Sequence, residues 1–271
     1  MNSRERVLRA FHVMPGKPDR PPIQFDLCRR LTDHFSMSLG ISADYALSYY
    51  EDLTYRISAN AVRTAMGSDC VIVGGTVRDG FVPKPVDGDI SENEFGMHMK
   101  PTPLYMEVVR CPLAEASSLE DIEKYAFPDA YAPGRFVQAR RDIARYKDDY
   151  FIIGDCELSI FELAWHLTGM QEYLMAMAME EPWIQALNDK VEAWTLGLAK
   201  QLVEAGVDAL WFGEDLGTQT SMLISPDMWR AEFKPRYARM IAELKMINPA
   251  VVYIIHSDGA EIGRASCRER V

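Results

Sequence analysis

The chain has 271 residues, of which 48% are hydrophobic and 25% are charged, and its formal net charge is -11. This balance is that of an ordinary globular protein that is long enough to bury a sizeable core. So acidic a surface repels phosphate backbones and anionic lipid, which argues against nucleic acid or a membrane as a partner. No apolar run approaches the ~20 residues that span a bilayer, and the first residues are not a signal peptide, which predicts a cytoplasmic protein.

The five cysteines are Cys28, Cys70, Cys111, Cys156 and Cys267. They lie far apart in the sequence and form no CxxC pair. We therefore expect reduced thiols, and we expect neither a disulfide framework nor a zinc site built from cysteines alone.

The first third of the chain predicts one strand, helix, strand unit. Residues 3–12 have a helical pattern, and a proline-rich break over residues 15–22 precedes a short predicted strand, Ile23–Phe25. Helical spacing recurs from residue 43 to residue 66. The run over residues 69–75 predicts a buried strand, because β-branched residues are concentrated there between glycines.

Residues 76–112 differ from the rest of the chain. Glycines and prolines interrupt short alternating runs throughout this stretch. That pattern is typical of antiparallel hairpins, and we interpret the segment as an insertion on a barrel or sheet.

The second half of the chain alternates apolar strands with long helices, which argues for a parallel sheet with helices outside it. The predicted segments are a short helix opened by Ser118, a helix over 133–147, a strand over 150–155, helices over 159–179 and 182–205, a strand over 209–212, a helix from Ser225 towards Met246, and a strand over 251–255.

Five strands are predicted in all. A (β/α)₈ TIM barrel requires eight strands, and an open doubly wound sheet would fit the chain length better. However, no glycine-rich phosphate loop follows any of the strands, which argues against the doubly wound fold. We predict an α/β fold of the barrel type, incomplete in this chain, with the hairpin insertion described above.

Polar side chains follow two of the apolar strands. Glu214 and Asp215 come directly after one strand, and His256 and Asp258 follow the last. Carboxylates and an imidazole at strand ends are how α/β enzymes build active sites, because strand ends are rigid and open to solvent on one side. We predict Glu214, Asp215 and His256 as catalytic residues; capping of a neighbouring helix is the alternative for the two acids.

Three further residues are weaker candidates. Asp155, Glu157 and His166 lie after the third predicted strand, where N-capping of the next helix explains the two acids equally well. We interpret His98 and Trp211 as packing residues.

Six short motifs follow one another from residue 2 to about residue 260. They are NSRERV at 2–7, PDRPPI at 18–23, NEFG at 93–96, GEDLG at 213–217, SPDMWR at 225–230 and HSDG at 256–259. In this order they resemble the uroporphyrinogen decarboxylase superfamily. The resemblance implies a (β/α)₈ barrel whose cleft lies at the carboxyl ends of the strands.

The superfamily contains decarboxylases of uroporphyrinogen, which act in porphyrin and heme biosynthesis, and a branch of corrinoid-linked methyltransferases. The decarboxylase pattern is poorly met here. Arg29 and Arg30 are out of register with the arginines of that pattern. Residues 71–76 lack the expected aspartate. Trp165 and Glu214 stand where a tyrosine and a serine are expected. The resemblance therefore points to the methyltransferase-like branch, with uroporphyrinogen decarboxylation as the alternative.

The methyltransferase branch binds zinc through a His-x-Cys pair and a later cysteine. His256 and Asp258 match the spacing of the pair, with aspartate in place of the thiolate. The resemblance thus implies Zn²⁺ held by His256, Asp258 and Glu214, in a harder site than one with thiolate ligands. It further implies a corrinoid such as methylcobalamin as co-substrate, a small-molecule substrate or a corrinoid protein as partner, and a homo-oligomer.

The last eleven residues, 261–271, differ abruptly in composition: they are rich in arginine and show no hydrophobic periodicity. We interpret residues 1–260 as a partial barrel domain with about five of eight strands, and residues 261–271 as a non-native tail. An inactive truncated fragment is therefore a third hypothesis for the function of this chain.

Overall fold

A computed structural model of the chain describes residues 1–48, 55–102 and 105–259. The helices in these ranges are Ser3–Ala10 (α1), Arg29–Leu39 (α2), Asn60–Ala65 (α3), Leu119–Lys124 (α4), Val137–Tyr146 (α5), Ile160–Thr168 (α6), Met170–Ala178 (α7), Pro182–Ala205 (α8) and Pro226–Ile247 (α9). The strands are Cys70–Gly74 (β1), Lys84–Asp87 (β2), Ile90–Glu92 (β3), His98–Pro101 (β4), Met106–Arg110 (β5), Phe151–Cys156 (β6), Ala209–Gly213 (β7) and Val252–His256 (β8).

The strands form two sheets, which confirms the predicted α/β fold with a hairpin insertion. Strands β1, β6, β7 and β8 make a parallel sheet in chain order, with helices between successive strands. Strands β2 to β5 make an antiparallel meander within the predicted insertion. Parallel strands need crossover connections, whereas hairpins do not. The part of the sequence that alternates strands with long helices therefore forms the parallel sheet, and the part with short runs broken by glycine and proline forms the antiparallel one.

Both faces of the parallel sheet carry apolar side chains, so its strands read as continuous apolar runs. On one face, residues such as Val71 and Leu210 pack with the surrounding helices in the larger core cluster. On the other face, residues such as Ile72 and Ile153 pack against Val7 of α1 in a smaller cluster. Successive residues of a strand alternate between these faces.

Two expectations for the first third of the chain are wrong. Residues 23–25 do not form a strand. Pro21 and Pro22 before this segment have no backbone N–H. Ile23 bonds instead to Asp69, the residue before β1: its carbonyl accepts the Asp69 N–H and its N–H donates to the Asp69 carboxylate. The helix expected over residues 43–66 is limited to α3 in the described residues. Asp44 instead donates its backbone N–H to the Ser58 carbonyl, so tertiary pairing outweighs helical spacing.

Helix ends agree better with the sequence. Ser118 forms a capping box with Asp121, and the Ser225 hydroxyl accepts a hydrogen bond from the Met228 N–H at 3.1 Å. The helix expected over 159–179 is interrupted, because Gly169 has φ +99 and begins a second helix, α7. These local signals were sufficient to fix most helix boundaries in this half.

At the amino end of the parallel sheet, one buried carboxylate organises an ionic network. Asp69 accepts hydrogen bonds from Arg6 at 2.7 Å, Arg20 at 2.7 Å, Ser3 at 2.7 Å and the Ile23 N–H at 2.8 Å. Burial opposes ionisation of this carboxyl, but the hydrogen bonds outweigh it and lower its pKa. The network attaches the amino-terminal segment to the sheet.

None of the described helices is both long and apolar enough to cross a membrane. Cys28, Cys70, Cys111 and Cys156 are free thiols, as expected. The predicted tail over residues 261–271, with Cys267, lies outside the described residues.

Candidate functional site

The carboxyl ends of β6, β7 and β8 meet at one edge of the parallel sheet. The strand register places Asp155 beside Trp211, and Gly213 beside His256. Side chains at these positions project to the same face of the sheet, since paired residues of parallel strands share a face. The polar clusters that follow β7 and β8 in sequence are thereby brought together.

Asp215, His256 and Asp258 form a compact triad at this edge. His256 Nε2 lies 3.9 Å from Asp215 Oδ1 and 3.7 Å from Asp258 Oδ1. One ligand-type atom from each residue lies within 4.8 Å of the other two. The three side chains are partly to largely exposed, so the structure assembles three of the predicted site residues in a cluster open to solvent.

Backbone contacts hold the two loops of the triad against each other. The Asp258 N–H donates to Asp215 Oδ1 at 2.9 Å, and the Leu216 N–H donates to Ser257 Oγ at 3.0 Å. Gly259 has φ +112, and a Cβ at this position would overlap the backbone of Gly217. Gly259 therefore lets the loops pack backbone to backbone, which keeps Asp215 beside Asp258.

The donor set of the triad fits a divalent metal ion. Zinc bound tetrahedrally at about 2.0–2.2 Å requires ligand atoms roughly 3.4 Å apart. The separations of 3.7 and 3.9 Å between the imidazole nitrogen and the two carboxylate oxygens, and the bound of 4.8 Å on all three, would have to contract towards this value on metal binding. Three protein ligands with an open side are the arrangement of catalytic zinc sites, and a set without sulfur favours harder ions.

Glu214, which was predicted with the triad, lies elsewhere. Its carboxylate is buried and accepts hydrogen bonds from the Phe161 N–H at 2.9 Å, the Glu162 N–H at 3.1 Å and the Tyr237 hydroxyl. It thus caps the first turn of α6 from the helix side of the sheet. Neighbouring residues of an extended segment point to opposite sides, so Glu214 and Asp215 cannot share one site. Burial raises the pKa of Glu214 to about 7 despite these donors.

A buried ionic cluster lies next to the triad, and sequence reasoning missed its centre, Arg56. The Arg56 guanidinium pairs with Glu157, with Asp26 at 2.9 Å and with Asp155 at 3.9 Å. Burial opposes the charge of Arg56, but these carboxylates raise its pKa above the ordinary value. Burial also raises the pKa of Asp155 to about 8, and within the described residues one oxygen of this carboxyl makes no hydrogen bond.

Trp211 connects the ionic cluster to the triad. Its indole Nε1 donates to Glu157 Oε2 at 2.8 Å, and its ring stacks on His256 with centroids 5.4 Å apart and planes 26° apart. The Arg56 guanidinium lies 4.9 Å from the centre of the Trp211 ring. Gly213 is the sequence feature that allows Glu157 to reach Trp211, because a Cβ at this position would overlap the Glu157 carboxyl.

Glu162 and His166 of α6 are buried behind the site. Burial, together with the charges of Glu214, Asp215 and Glu157, raises the pKa of Glu162 to about 9. Burial lowers the pKa of His166 to about 4, and its Nδ1 lies 2.9 Å from the Glu162 carbonyl. His166 is therefore a neutral core residue, outside the triad.

His98, interpreted above as a packing residue, lies on β4 of the other sheet. Its Nε2 is 3.7 Å from a carboxylate oxygen of Glu92, and the ring also meets Arg110 at 3.4 Å. It takes no part in the cluster at the strand ends.

Comparisons with known proteins agree with this architecture. The sequence profile of uroporphyrinogen decarboxylase (URO-D) matches residues 93–267. The solved structure of a methyltransferase from Methanosarcina mazei has a TM-score of 0.64, with 16% sequence identity over 96% of this chain and 70% of that chain. No curated protein sequence matches the chain. At this level of identity, the structural likeness concerns the fold.

Proposed function

Because the chain belongs to the uroporphyrinogen decarboxylase (URO-D) family, we propose that it is a corrinoid-linked, metal-dependent methyltransferase. The observation that supports this proposal is the triad of Asp215, His256 and Asp258, whose donor atoms lie within 4.8 Å of one another at the strand ends. The methyltransferase from Methanosarcina mazei shares the fold, which is consistent with the proposal.

In this proposal the triad holds a divalent metal ion, with Zn²⁺ as the first candidate. When bound, zinc would act as a Lewis acid that lowers the pKa of a bound acceptor group. Asp215 and His256 are the partly buried members and would fix the position of the site, whereas Asp258 is largely exposed and borders its open side. Glu214 has no part in the metal site, because it caps α6.

The proposed substrates are a small methylated compound and a corrinoid, free or carried by a protein. The methyl group would pass between the corrinoid and an acceptor at the open side of the triad. The carboxylates at this edge favour neutral or cationic ligands over anionic ones, because like charges brought together at a partly buried site repel strongly.

We further propose that the parallel sheet is part of a (β/α)₈ barrel. The order of β1, β6, β7 and β8 in the sheet follows their order in the chain, and each pair is parallel. A triad at the carboxyl ends of the strands is also where such barrels carry their active sites.

Uroporphyrinogen decarboxylation is the second candidate, because it is the activity after which the family is named. It would require cationic groups for a polycarboxylate substrate. At the strand ends Arg56 is already paired with Asp26, Asp155 and Glu157. The buried acid Glu162 adds to the unfavourable environment. We expect no decarboxylated product when the protein is incubated with uroporphyrinogen, and substantial turnover would replace our first proposal with this one.

The metal proposal can be tested directly. The chain is loaded with Zn²⁺, dialysed, and its zinc content measured by mass spectrometry for the wild type, His256→Ala and His98→Ala. We expect bound zinc in the wild type and in His98→Ala, whose histidine lies on β4, and loss of zinc in His256→Ala. Equal zinc content in all three proteins would contradict the proposed site. Methyl transfer is then followed by the absorbance of methylcobalamin with candidate thiol acceptors.

A further inference from the structure

We propose that Glu157 and Trp211 are positioning residues that orient the imidazole of His256 towards Asp215 and Asp258. This inference rests on the proposed function, since it concerns the same metal site. Both residues act through His256: Trp211 stacks on its ring, and Glu157 holds Trp211.

The first step is the anchoring of Trp211. Its indole N–H donates to Glu157 at 2.8 Å, a charge-assisted bond to a largely buried carboxylate. Glu157 is fixed in turn by the Arg56 guanidinium and by its own N–H, which donates to Asp155 Oδ1 at 3.0 Å. The plane of the indole is therefore set by a hydrogen bond at its edge and by Arg56 above its ring.

The second step is the orientation of His256. A histidine that binds metal through Nε2 usually has its Nδ1 held by a hydrogen bond, which fixes the ring. Among the residues that the structure describes, none makes a hydrogen bond to the His256 ring. The ring instead lies nearly parallel to Trp211, at 26°, with Nε2 3.7 and 3.9 Å from the two carboxylate oxygens. The stacked indole takes the place of the usual hydrogen bond.

The third step is the strand register that makes the stack possible. Trp211 pairs with Ile254 and Gly213 pairs with His256, so the indole lies one layer below the imidazole on the same face. Gly213 has no side chain where a Cβ would overlap the Glu157 carboxyl. The glycine thus leaves room for Glu157 to cross β7 and reach the indole, and the three positions depend on one another.

A purely structural role for Trp211 makes different predictions, because loss of core packing lowers stability without turning His256. Trp194 provides a matched control: it is buried among the helices in the larger core cluster and also lies beside an arginine, Arg135, at 4.8 Å. Trp194→Leu removes a buried indole and Trp211→Leu a partly buried one. Only Trp211→Leu should change the environment of His256.

The experiment uses the full chain with ¹⁵N-labelled histidine, first without metal. The sequence contains five histidines, and the His256 signals are assigned with His256→Ala. We expect Trp211→Leu to shift the His256 ring protons downfield through loss of the indole ring current, and to weaken Zn²⁺ binding about 10-fold or more. Trp194→Leu should leave both unchanged. A Trp211→Leu protein with wild-type His256 signals and zinc affinity would overturn the inference.

If Trp211→Leu does not fold, conservative variants can still test the positioning role. Trp211→Phe keeps an aromatic ring but loses the N–H, so its zinc affinity should lie below that of the wild type. Glu157→Gln keeps an acceptor for the indole and should retain most of the affinity, whereas Glu157→Leu should lose it. If Trp211→Phe and Glu157→Leu both bind zinc with the affinity of the wild type, the positioning role is contradicted.

The outcome also separates this inference from the proposed function. A wild-type protein that binds no Zn²⁺ refutes the proposed function, while the metal-free signals still report whether Trp211 stacks on the His256 imidazole. A wild-type protein that binds Zn²⁺ with an affinity that Trp211→Leu does not alter leaves the proposed function standing and refutes the positioning role.

Discussion

The two ends of the parallel sheet use acidic residues in opposite ways. At the amino end, the buried carboxylate of Asp69 is surrounded by donors from Ser3, Arg6 and Arg20. At the carboxyl end, three acids surround one buried guanidinium, Arg56, and within the described residues one oxygen of Asp155 makes no hydrogen bond. In barrel enzymes the amino end of the strands contributes stability and the carboxyl end carries the chemistry.

The pKa values express this contrast. Asp69 is held below its ordinary pKa because its hydrogen bonds outweigh burial. Burial raises the pKa of Asp155 to about 8 and that of Glu162 to about 9. All three side chains are buried, so the difference lies in the donors around Asp69 and in the neighbouring acids around Asp155 and Glu162. Perturbed acids of the second kind are typical of functional sites.

The largest effect that we expect is at the amino end. Asp69→Asn removes the buried charge that Arg6 and Arg20 share, so that the largely buried Arg6 guanidinium keeps only Asp19 as an ionic partner among the described residues. We expect the free energy of unfolding to fall by about 3 kcal/mol or more, measured by urea denaturation. Asp33→Asn, in a half-exposed helical pair with Arg29, should change it by less than about 0.5 kcal/mol. Similar losses in both variants would remove the contrast between the two ends.

The carboxyl end should make stability depend on pH with the opposite sign. Asp155 has a folded pKa of about 8, above its ordinary 3.8, so its neutral form stabilises the fold. That contribution is complete below pH 4 and is lost as the pH rises through 8. We expect the free energy of unfolding to fall by as much as about 1.4 kcal/mol per pH unit between pH 5 and 8.

Asp155→Asn tests this assignment, because it removes the titrating group and keeps the shape of the side chain. Urea denaturation at pH 5, 6, 7 and 8 should then give a shallower decline, with Glu162 and Glu214 accounting for what remains. A decline as steep as that of the wild type would show that Asp155 is not the source.

At the triad we expect an effect on binding without one on folding. Asp258→Asn should weaken Zn²⁺ binding about 10-fold, or about 1.4 kcal/mol, and change the free energy of unfolding by less than about 0.5 kcal/mol. Asp227→Asn provides the control, since Asp227 is highly exposed on α9. A chelator competition assay measures the affinity. If the two variants bind zinc equally, Asp258 is not a ligand.

The smallest effect should come from the exposed side of the amino-end network. Arg4 pairs with Asp208 but is 39% exposed, and Asp208 also accepts the Ile152 N–H at 3.0 Å. Arg4→Ala should therefore lower the free energy of unfolding by only about 0.5–1 kcal/mol, measured by thermal denaturation. A loss as large as that of Asp69→Asn would mean that solvent screens this pair less than its exposure implies.

The sequence predicted those parts of the fold that depend on local signals. Apolar, β-branched runs gave β1, β6, β7 and β8, and the insertion was recognised from its glycines and prolines. The expected helix over residues 43–66 was wrong because long-range pairing of Asp44 with Ser58 decides that segment. No periodicity in a single sequence reports a contact of this kind.

The same limit applies to the candidate site. Asp215, His256 and Asp258 could be predicted because each follows an apolar strand. Glu214 also follows an apolar strand, yet its side chain points to the other side of the sheet from that of Asp215 and caps α6. The sequence does not show to which side each of two adjacent residues points. Arg56 could not be found, because it lies in the segment predicted as a helix over residues 43–66, and only the tertiary fold brings it to Glu157 at the strand ends.

The contact between Gly217 and Gly259 suggests a way to sort related sequences. A side chain at Gly259 would meet the Gly217 backbone and force the two loops apart, and Asp215 would separate from Asp258 even in a chain that keeps both acids. Relatives that keep a glycine at the position of Gly259 should therefore keep the geometry of the proposed metal site. Those that lose it should lose that geometry whether or not the acids are conserved.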